Sequence, residues 1–310
     1  MRDSTLKAIY KQMQANDRIF FLSGDFGAPT LDLIRQDFAD RFINVGIAEQ
    51  NLINVSTGLA LEGYIVYAYA IAGFITMRAY EQVRTNLALM SQVRDLNVNL
   101  IGVGSGVSYD VSGPSHHCLE DIGIMRTLPN MTVCCPSDWV TAQAFIDYTI
   151  EFSGPKYLRL DSKPVAHLYD DDFAFDWKTG FCEIQSGNNG ICLVSTGYTT
   201  HWAKRILAQL GDQRGESGLI DLFMLTTFDS EALATAVSSY QTVITLEEGF
   251  RGKGGLDSLM SSLICRYELN PRLLNFGFNA EYAFRSGTRE FLYNRNGMSE
   301  QHILNAMTQL

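Results

Sequence analysis

Glu49 is the residue whose position in the sequence best suggests chemistry. It follows a predicted strand, Arg41–Val45, and Gly46, which breaks that strand. It falls in the first turn of a predicted helix, Ile47–Leu61, whose other residues are mostly small and apolar. A carboxyl group buried in apolar surroundings tends to keep its proton near neutrality, as an acid catalyst requires. The alternative is an ordinary first-turn acid that complements the helix dipole.

Two adjacent histidines, His116 and His117, end a glycine- and proline-containing loop that starts at Ser112. The loop lies between a predicted strand and a predicted helix, where α/β proteins place ligand sites. One histidine could titrate near neutrality and donate to a substrate oxygen; the alternative is a loop histidine with satisfied hydrogen bonds. No third ligand accompanies the pair, so we expect no metal site on this chain.

Two glycine-rich stretches do not match nucleotide-binding motifs. Residues 102–106 follow a predicted strand, but they lack the third glycine, the helix and the later acid of a dinucleotide fingerprint. Residues 252–255 lack the Ser or Thr that follows the lysine of a phosphate-binding loop. The sequence contains no Gly-x-Ser-x-Gly elbow. These observations exclude a dinucleotide or nucleoside-triphosphate site and a serine hydrolase.

Predicted strands and helices alternate along the chain in two series. This pattern indicates an α/β fold with two stacked domains, each built on a mostly parallel sheet flanked by helices. The stretch from Pro164 to Gln185 breaks the alternation. We therefore expect a first domain over residues 1–165, an interdomain connection over 166–186 and a second domain over 187–310.

Composition limits the partners and the compartment. The 310 residues are 46% hydrophobic and carry a net charge of −10, which argues against nucleic-acid binding. The sequence has no apolar run of membrane-spanning length and opens without a signal peptide. The six cysteines show no Cys-x-x-Cys spacing, which favours reduced thiols in a cytoplasmic protein.

Four ordered motifs resemble the transketolase family, in its pyrimidine-binding domain. Two shorter motifs fit the family's C-terminal domain, so the resemblance covers the whole chain. The first four motifs are residues 46–51, 74–84, 113–117 and 125–131, and the other two are residues 245–248 and 254–256.

The resemblance implies thiamine diphosphate as the cofactor. Glu49 matches the family's catalytic glutamate, whose protonated carboxyl hydrogen-bonds the pyrimidine ring and promotes loss of the thiazolium proton. Phe74 matches the aromatic residue that stacks on the pyrimidine. Asp25 matches a carboxylate near the cofactor, and Arg78 belongs to the motif that carries Phe74, so the resemblance places both in the cofactor site.

The resemblance also implies substrate-binding residues. His116 matches a histidine that binds substrate and takes part in catalysis, and His117 is its neighbour in the same motif. Arg159 matches an arginine that binds substrate phosphate. Arg2 fits a second phosphate-binding arginine near the start of the chain.

Two departures from the family pattern refine this expectation. The chain has no Gly-Asp-Gly motif with a later Asn, the residues that hold diphosphate and Mg²⁺ in the family. It therefore resembles the second subunit of a split transketolase, with a separate diphosphate-binding subunit in an α2β2 assembly. In the family, polar residues recognise the donor sugar; here their positions are taken by Gly104, Val111 and Ser112. This difference suggests a non-standard ketose among the sugar or sugar-phosphate substrates.

Three interpretations remain open at this point. The first is half of a thiamine-dependent ketol transferase. The second is the β subunit of a 2-oxo acid dehydrogenase E1 component, or an enzyme like deoxyxylulose-phosphate synthase. The third is a structural or regulatory subunit without catalysis, against which the presence of Glu49, Phe74 and His116 argues.

Overall fold

Two sheets organise the chain. The computed structural model describes residues 1–210 and 217–309. Residues 211–216 and Leu310, which belong to the predicted second domain, lie outside this described part. Each sheet carries helices against it, as the alternating sequence pattern predicts.

The first half of the chain forms a fully parallel sheet. Its strands are β1 (Ile19–Ser23), β2 (Phe42–Asn44), β3 (Ile65–Ile71), β4 (Asn97–Val103), β5 (Thr132–Cys134) and β6 (Lys156–Leu160). They pair in the order β2-β1-β3-β4-β6-β5. The accompanying helices are α1 (Arg2–Ala15), α2 (Pro29–Asp37), α3 (Glu49–Leu61), α4 (Ala72–Met77), α5 (Tyr80–Gln82), α6 (Asp121–Arg126) and α7 (Trp139–Glu151).

Both faces of this sheet are covered by apolar side chains. Successive residues of a strand point to opposite faces, and Phe21 and Leu22 of β1 accordingly join two different core clusters. One cluster packs β1 and β3 against α1, α2 and α7. The other packs the opposite face against α3. Burial on both faces explains why these strands read as continuous apolar runs.

The second sheet is mostly parallel. Its strands are β7 (Phe181–Gln185), β8 (Ile191–Ser195), β9 (Gly218–Leu222), β10 (Thr242–Phe250) and β11 (Arg272–Phe278). They pair in the order β11-β10-β8-β9-β7, and only the edge strand β7 runs antiparallel to its neighbour. The helices of this domain are α8 (Thr199–Ala208), α9 (Ser230–Ser238), α10 (Leu256–Arg266), α11 (Arg289–Arg295) and α12 (Glu300–Thr308).

The two domains share one core and exchange backbone hydrogen bonds. The cluster that covers α3 continues through β8, β9 and α10 of the second domain. The Cys135 N–H donates to the Phe223 carbonyl at 2.8 Å, and the Leu225 N–H donates to the Val133 carbonyl at 2.8 Å. The Arg126 guanidinium also donates across the interface, to the Gly255 carbonyl at 2.7 Å. The predicted stacking of two α/β domains is therefore confirmed.

Some elements differ from the sequence expectation. β7 lies inside the predicted connection 166–186, where it pairs with β9 as a half-exposed edge strand. The predicted helix carrying Ile75 to Met90 is divided into α4, α5 and a π-helical segment, Val83–Leu89. Helices α9 and α11 were not predicted. Among the described residues, no helix is long and apolar enough to span a membrane.

Candidate active site

The candidate site lies where four neighbouring strands end. Asp25 follows β1, Glu49 follows β2, Phe74 follows β3 and His116 lies in the loop after β4. These strands are adjacent in the sheet, in the order β2-β1-β3-β4, and all run in the same direction. Their carboxyl ends therefore meet along one edge, the usual place for ligand sites in open α/β sheets.

A tight turn places Glu49 at the start of α3. Gly46 has a positive φ of 76°, which favours glycine, and its N–H donates to the Asn44 side-chain oxygen at 2.9 Å. The Asn44 amide group donates in turn to an Asp25 carboxylate oxygen at 2.9 Å. The helix begins at Glu49 itself, and the Glu49 side chain is only 2% exposed. The predicted strand, turn and buried carboxyl are thus confirmed.

The surroundings of Glu49 are not purely apolar, contrary to the sequence expectation. The Arg78 guanidinium contacts the Glu49 carboxylate at 2.7 Å, while the Arg78 side chain is 49% exposed. The same guanidinium lies over the Phe74 ring, 5.0 Å from its centroid. Because 29 residues separate Glu49 from Arg78, helical spacing could not reveal this ion pair. The structure thus brings Glu49, Phe74 and Arg78 together.

His116 joins this group through the Phe74 ring. The two rings meet edge to face, with centroids 5.5 Å apart, and the His116 ring also meets the edge of Tyr109 at 6.1 Å. The His116 Nδ1 atom lies 3.1 Å from the Ser115 hydroxyl. The His116 imidazole is half-buried and lies beside the Phe74 ring at the same edge of the sheet.

Arg2 approaches from the first turn of α1. Its guanidinium interacts electrostatically with the phenol groups of Tyr69 and Tyr109 and is hydrogen-bonded to Asp3. Burial lowers the pKa of Arg2, but these neighbours raise it more, so its net pKa lies above the ordinary value. Arg2 therefore stays cationic next to Tyr109, which itself contacts His116.

His117 and Arg159 have surroundings unlike those of His116. His117 is 5% exposed, and its Nε2 atom lies 3.1 Å from the Asp110 carbonyl oxygen. Arg159 is 4% exposed and pairs with Asp121 at 2.7 Å, while its Nη2 donates to the Cys118 and Glu248 carbonyls. These contacts fit a supporting role better than the substrate-binding roles that the resemblance implies.

Tyr109 is a site residue that the sequence analysis did not identify. Gly104 has a φ of 99°, and a Cβ atom placed there would lie 2.1 Å from the Tyr109 ring. The Tyr109 ring therefore fills the space that a side chain at position 104 would need. Of the other two altered donor positions, Val111 is 69% exposed, and Ser112 is also exposed.

The arrangement fits one half of thiamine diphosphate. Once Arg78 moves aside, a buried carboxyl and a half-buried aromatic ring at the same sheet edge can hold a planar heterocycle that offers a hydrogen-bonding nitrogen. In the described part of the chain, no group of three or more His, Cys, Asp or Glu side chains is placed to hold a metal ion. The residues thus fit the pyrimidine, and they supply no clustered ligands for Mg²⁺.

Comparisons with known proteins match both domains. Residues 1–165 match the transketolase pyrimidine-binding domain, and residues 180–303 match the transketolase C-terminal domain. The chain is 31% identical to one subunit of the apulose-4-phosphate transketolase of Actinobacillus succinogenes, over 89% of this chain and 86% of that protein. It is 30% identical to transketolase-like protein 1 of Bos taurus over 98% of this chain, but it spans only 50% of that protein.

A solved structure shows the same fold over the whole chain. It is described as a split gene transketolase, inactive beta4 tetramer, and it superposes with a TM-score of 0.87 at 28% identity. The match covers 99% of this chain and 97% of that one. The chain therefore belongs to the transketolase family, of which it contains the pyrimidine-binding and C-terminal domains.

Proposed function

We propose that this chain is the C-terminal subunit of a split, thiamine-diphosphate-dependent transketolase. It would transfer a two-carbon ketol unit from a ketose to an aldehyde acceptor and would be active only with a partner subunit. The observation that carries the proposal is the buried Glu49 carboxyl, linked through Arg78 to the Phe74 and His116 rings, in a chain without the Gly-Asp-Gly motif. Similarity to one subunit of apulose-4-phosphate transketolase and to a split-gene structure supports it.

Each site residue has a task in this proposal. When bound, thiamine diphosphate supplies the carbon centre that carries the ketol unit. Glu49 holds a proton against the pyrimidine nitrogen, and Phe74 stacks on the pyrimidine ring. Asp25 lies at the same sheet edge, close to the cofactor. His116 donates to an oxygen of the substrate, and Arg2 offers a cation to its phosphate.

The partner would supply the groups that this chain lacks. An N-terminal subunit with Gly-Asp-Gly and a later Asn would hold the diphosphate and Mg²⁺, so that the cofactor lies between the two subunits. We propose an α2β2 arrangement, in which each site combines a pyrimidine-binding surface from one subunit with a diphosphate-binding surface from the other. A cytoplasmic location is supported by the cysteines, all six of which are free.

We further propose a non-standard ketose donor. The Tyr109 ring occupies the space above Gly104, and an exposed apolar Val111 replaces a polar donor contact. These changes remove polar groups that would hydrogen-bond to the hydroxyl groups of the donor sugar. A donor panel assayed with the reconstituted pair should therefore show xylulose 5-phosphate to be poor relative to another ketose.

An E1 β subunit or a deoxyxylulose-phosphate-synthase-like enzyme remains the second candidate. Such enzymes share the domain pair and the glutamate, so Glu49 does not separate the two interpretations. The names of the matched relatives favour a transketolase. A subunit without catalysis is disfavoured because Glu49, Phe74 and His116 converge on one site.

Calorimetry tests the proposal directly. We expect the isolated chain to bind thiamine diphosphate weakly, whether or not Mg²⁺ is present. The partner to be added is a chain that carries Gly-Asp-Gly and a later Asn, sought first among the products of neighbouring genes. Mixing should create tight, Mg²⁺-dependent binding and ketol transfer. Tight Mg²⁺-dependent binding by this chain alone would contradict the split-subunit assignment.

A further inference from the structure

One side chain occupies both places that the proposed function reserves for the pyrimidine. The Arg78 guanidinium contacts the Glu49 carboxylate at 2.7 Å, the group that would face the ring nitrogen. It also lies over the Phe74 ring, 5.0 Å from the centroid, where the pyrimidine would stack. A pyrimidine that takes the same carboxylate oxygen and the same face of the ring must displace the Arg78 guanidinium.

The local structure allows Arg78 to leave. Arg78 caps the C-terminus of α4 through its backbone, whose N–H donates to the Phe74 carbonyl at 3.0 Å. Its side chain is 49% exposed, and its only ion pair among the described residues is with Glu49. Rotation of the side chain into solvent would therefore leave the helix end intact.

Glu49 needs a partner whenever the cofactor is absent. A buried carboxylate without a hydrogen-bonding cation or donor is unfavourable, and Glu49 is 2% exposed. Arg78 meets this need from the rim of the site. When the guanidinium withdraws, the Glu49 carboxyl is free to face the ring nitrogen of the pyrimidine.

We propose, on the basis of the function above, that Arg78 is a placeholder for the pyrimidine of the cofactor. It holds the space between Glu49 and Phe74 in the uncombined chain and withdraws from both when the cofactor binds. Cofactor binding thus competes with the Glu49–Arg78 ion pair, which lowers the affinity of the isolated chain. This differs from the cofactor-contacting role that the resemblance implies for Arg78.

Equilibrium dialysis of the isolated chain against radiolabelled thiamine diphosphate and Mg²⁺ separates the two roles. We expect Arg78→Ala to bind about fivefold more tightly than wild type, the upper range for a half-exposed ion pair. Arg78→Lys should return the affinity toward wild type because it restores the charge. Arg84→Ala is the matched control, since Arg84 is an exposed arginine of the same segment without an ion pair among the described residues.

A double-variant comparison links the effect to Glu49. The gain from Arg78→Ala should shrink when Glu49 is already Gln, because the ion pair is then absent and only the contact of Arg78 with the Phe74 ring is left to compete. Equal occupancy of wild type and Arg78→Ala, including none in either, would overturn the placeholder role. Weaker binding by Arg78→Ala would overturn it as well and would assign Arg78 as a cofactor contact. The proposed function fails separately, if Glu49→Gln leaves cofactor affinity and activity of the reconstituted pair unchanged.

Discussion

At the scale of single residues, Glu49 shows how a short turn can place a carboxyl group in a buried position. Gly46 adopts a backbone conformation that favours glycine, and the chain then turns directly into α3. The Glu49 carboxyl is left buried just after β2, where Arg78 contacts both this carboxyl and the ring of Phe74. In the free chain this carboxyl accepts a charge-assisted hydrogen bond from Arg78, and in the proposed complex it would hydrogen-bond to the pyrimidine instead.

Glu49→Gln tests the acid role with a nearly isosteric change. Glutamine keeps the size and a hydrogen-bonding group but cannot exchange the carboxyl proton. Positioned acid–base groups contribute about a hundred- to ten-thousand-fold in rate, so we expect turnover of the reconstituted pair to fall at least about a hundredfold. The direct measurement is hydrogen–deuterium exchange at the thiazolium carbon of bound cofactor, which should slow strongly. Exchange at the wild-type rate would make Glu49 only a helix-dipole acid.

The sequence alone identified some of the site residues but not others. Glu49, Phe74 and His116 lie within recognisable motifs, and the structure brings them together. Arg159 lies in a strand whose sequence does not reveal the distant partners Asp121 and Glu248 that enclose it. The Tyr109 contact with Gly104 depends on the conformation of a loop, which residue spacing does not determine.

At the scale of elements, continuous apolar runs predicted most strands because those strands are buried on both faces. β7 was missed because only its first residue is buried, so no regular alternation appears. The motifs at residues 245–248 and 254–256 also acquire a structural explanation. Glu247, in the second half of β10, accepts hydrogen bonds at 2.9 Å from the N–H groups of Leu256 and Asp257 at the start of α10. Burial raises the pKa of Glu247 to about 7.

Lys156 in β6 gives a prediction for the pH dependence of stability. The residue is 1% exposed, and its ammonium group donates to the Asn97 side chain and the Gly154 carbonyl. Burial lowers the pKa of Lys156 from 10.5 to about 7. The unfolded chain therefore binds more protons than the folded chain between these pH values, so Lys156 makes the free energy of unfolding rise with pH in this window. Below about pH 7 the full penalty of burying the charge remains.

Lys156→Met removes this titration. The stability of the variant relative to wild type should fall as pH rises from about 7 to 10, by up to about 4 kcal/mol. Urea unfolding at several pH values measures the difference, and Lys7→Met serves as an exposed control. A difference between Lys156→Met and wild type that does not change with pH would show that Lys156 keeps an ordinary pKa in the folded protein.

At the scale of the whole molecule, buried charges join the two domains in addition to the shared apolar core. Arg289 of α11 pairs with Asp161, which follows β6 of the first domain, at 2.5 Å. It also pairs with Glu248 of β10 at 2.8 Å. The Tyr293 hydroxyl donates to the same Glu248 carboxylate at 2.7 Å. Predicting such a cluster needs the spatial arrangement of three distant segments, so the sequence motifs alone did not indicate it.

Arg289→Met tests whether this cluster determines how firmly the domains hold together. The substitution leaves Asp161 and Glu248 buried without their shared cation, although Tyr293 still donates to Glu248. Removing one member of a buried ion pair typically costs about 3–5 kcal/mol, because the remaining charge is uncompensated. We expect a loss of this size in the free energy of unfolding, measured with urea. Arg295→Met, which changes an exposed arginine of the same helix, should cause little loss.

Because one core cluster runs through both domains, the Arg289→Met variant should still unfold in a single transition. A loss below about 1 kcal/mol would show that apolar packing and the backbone hydrogen bonds between the domains hold them together without the charged cluster.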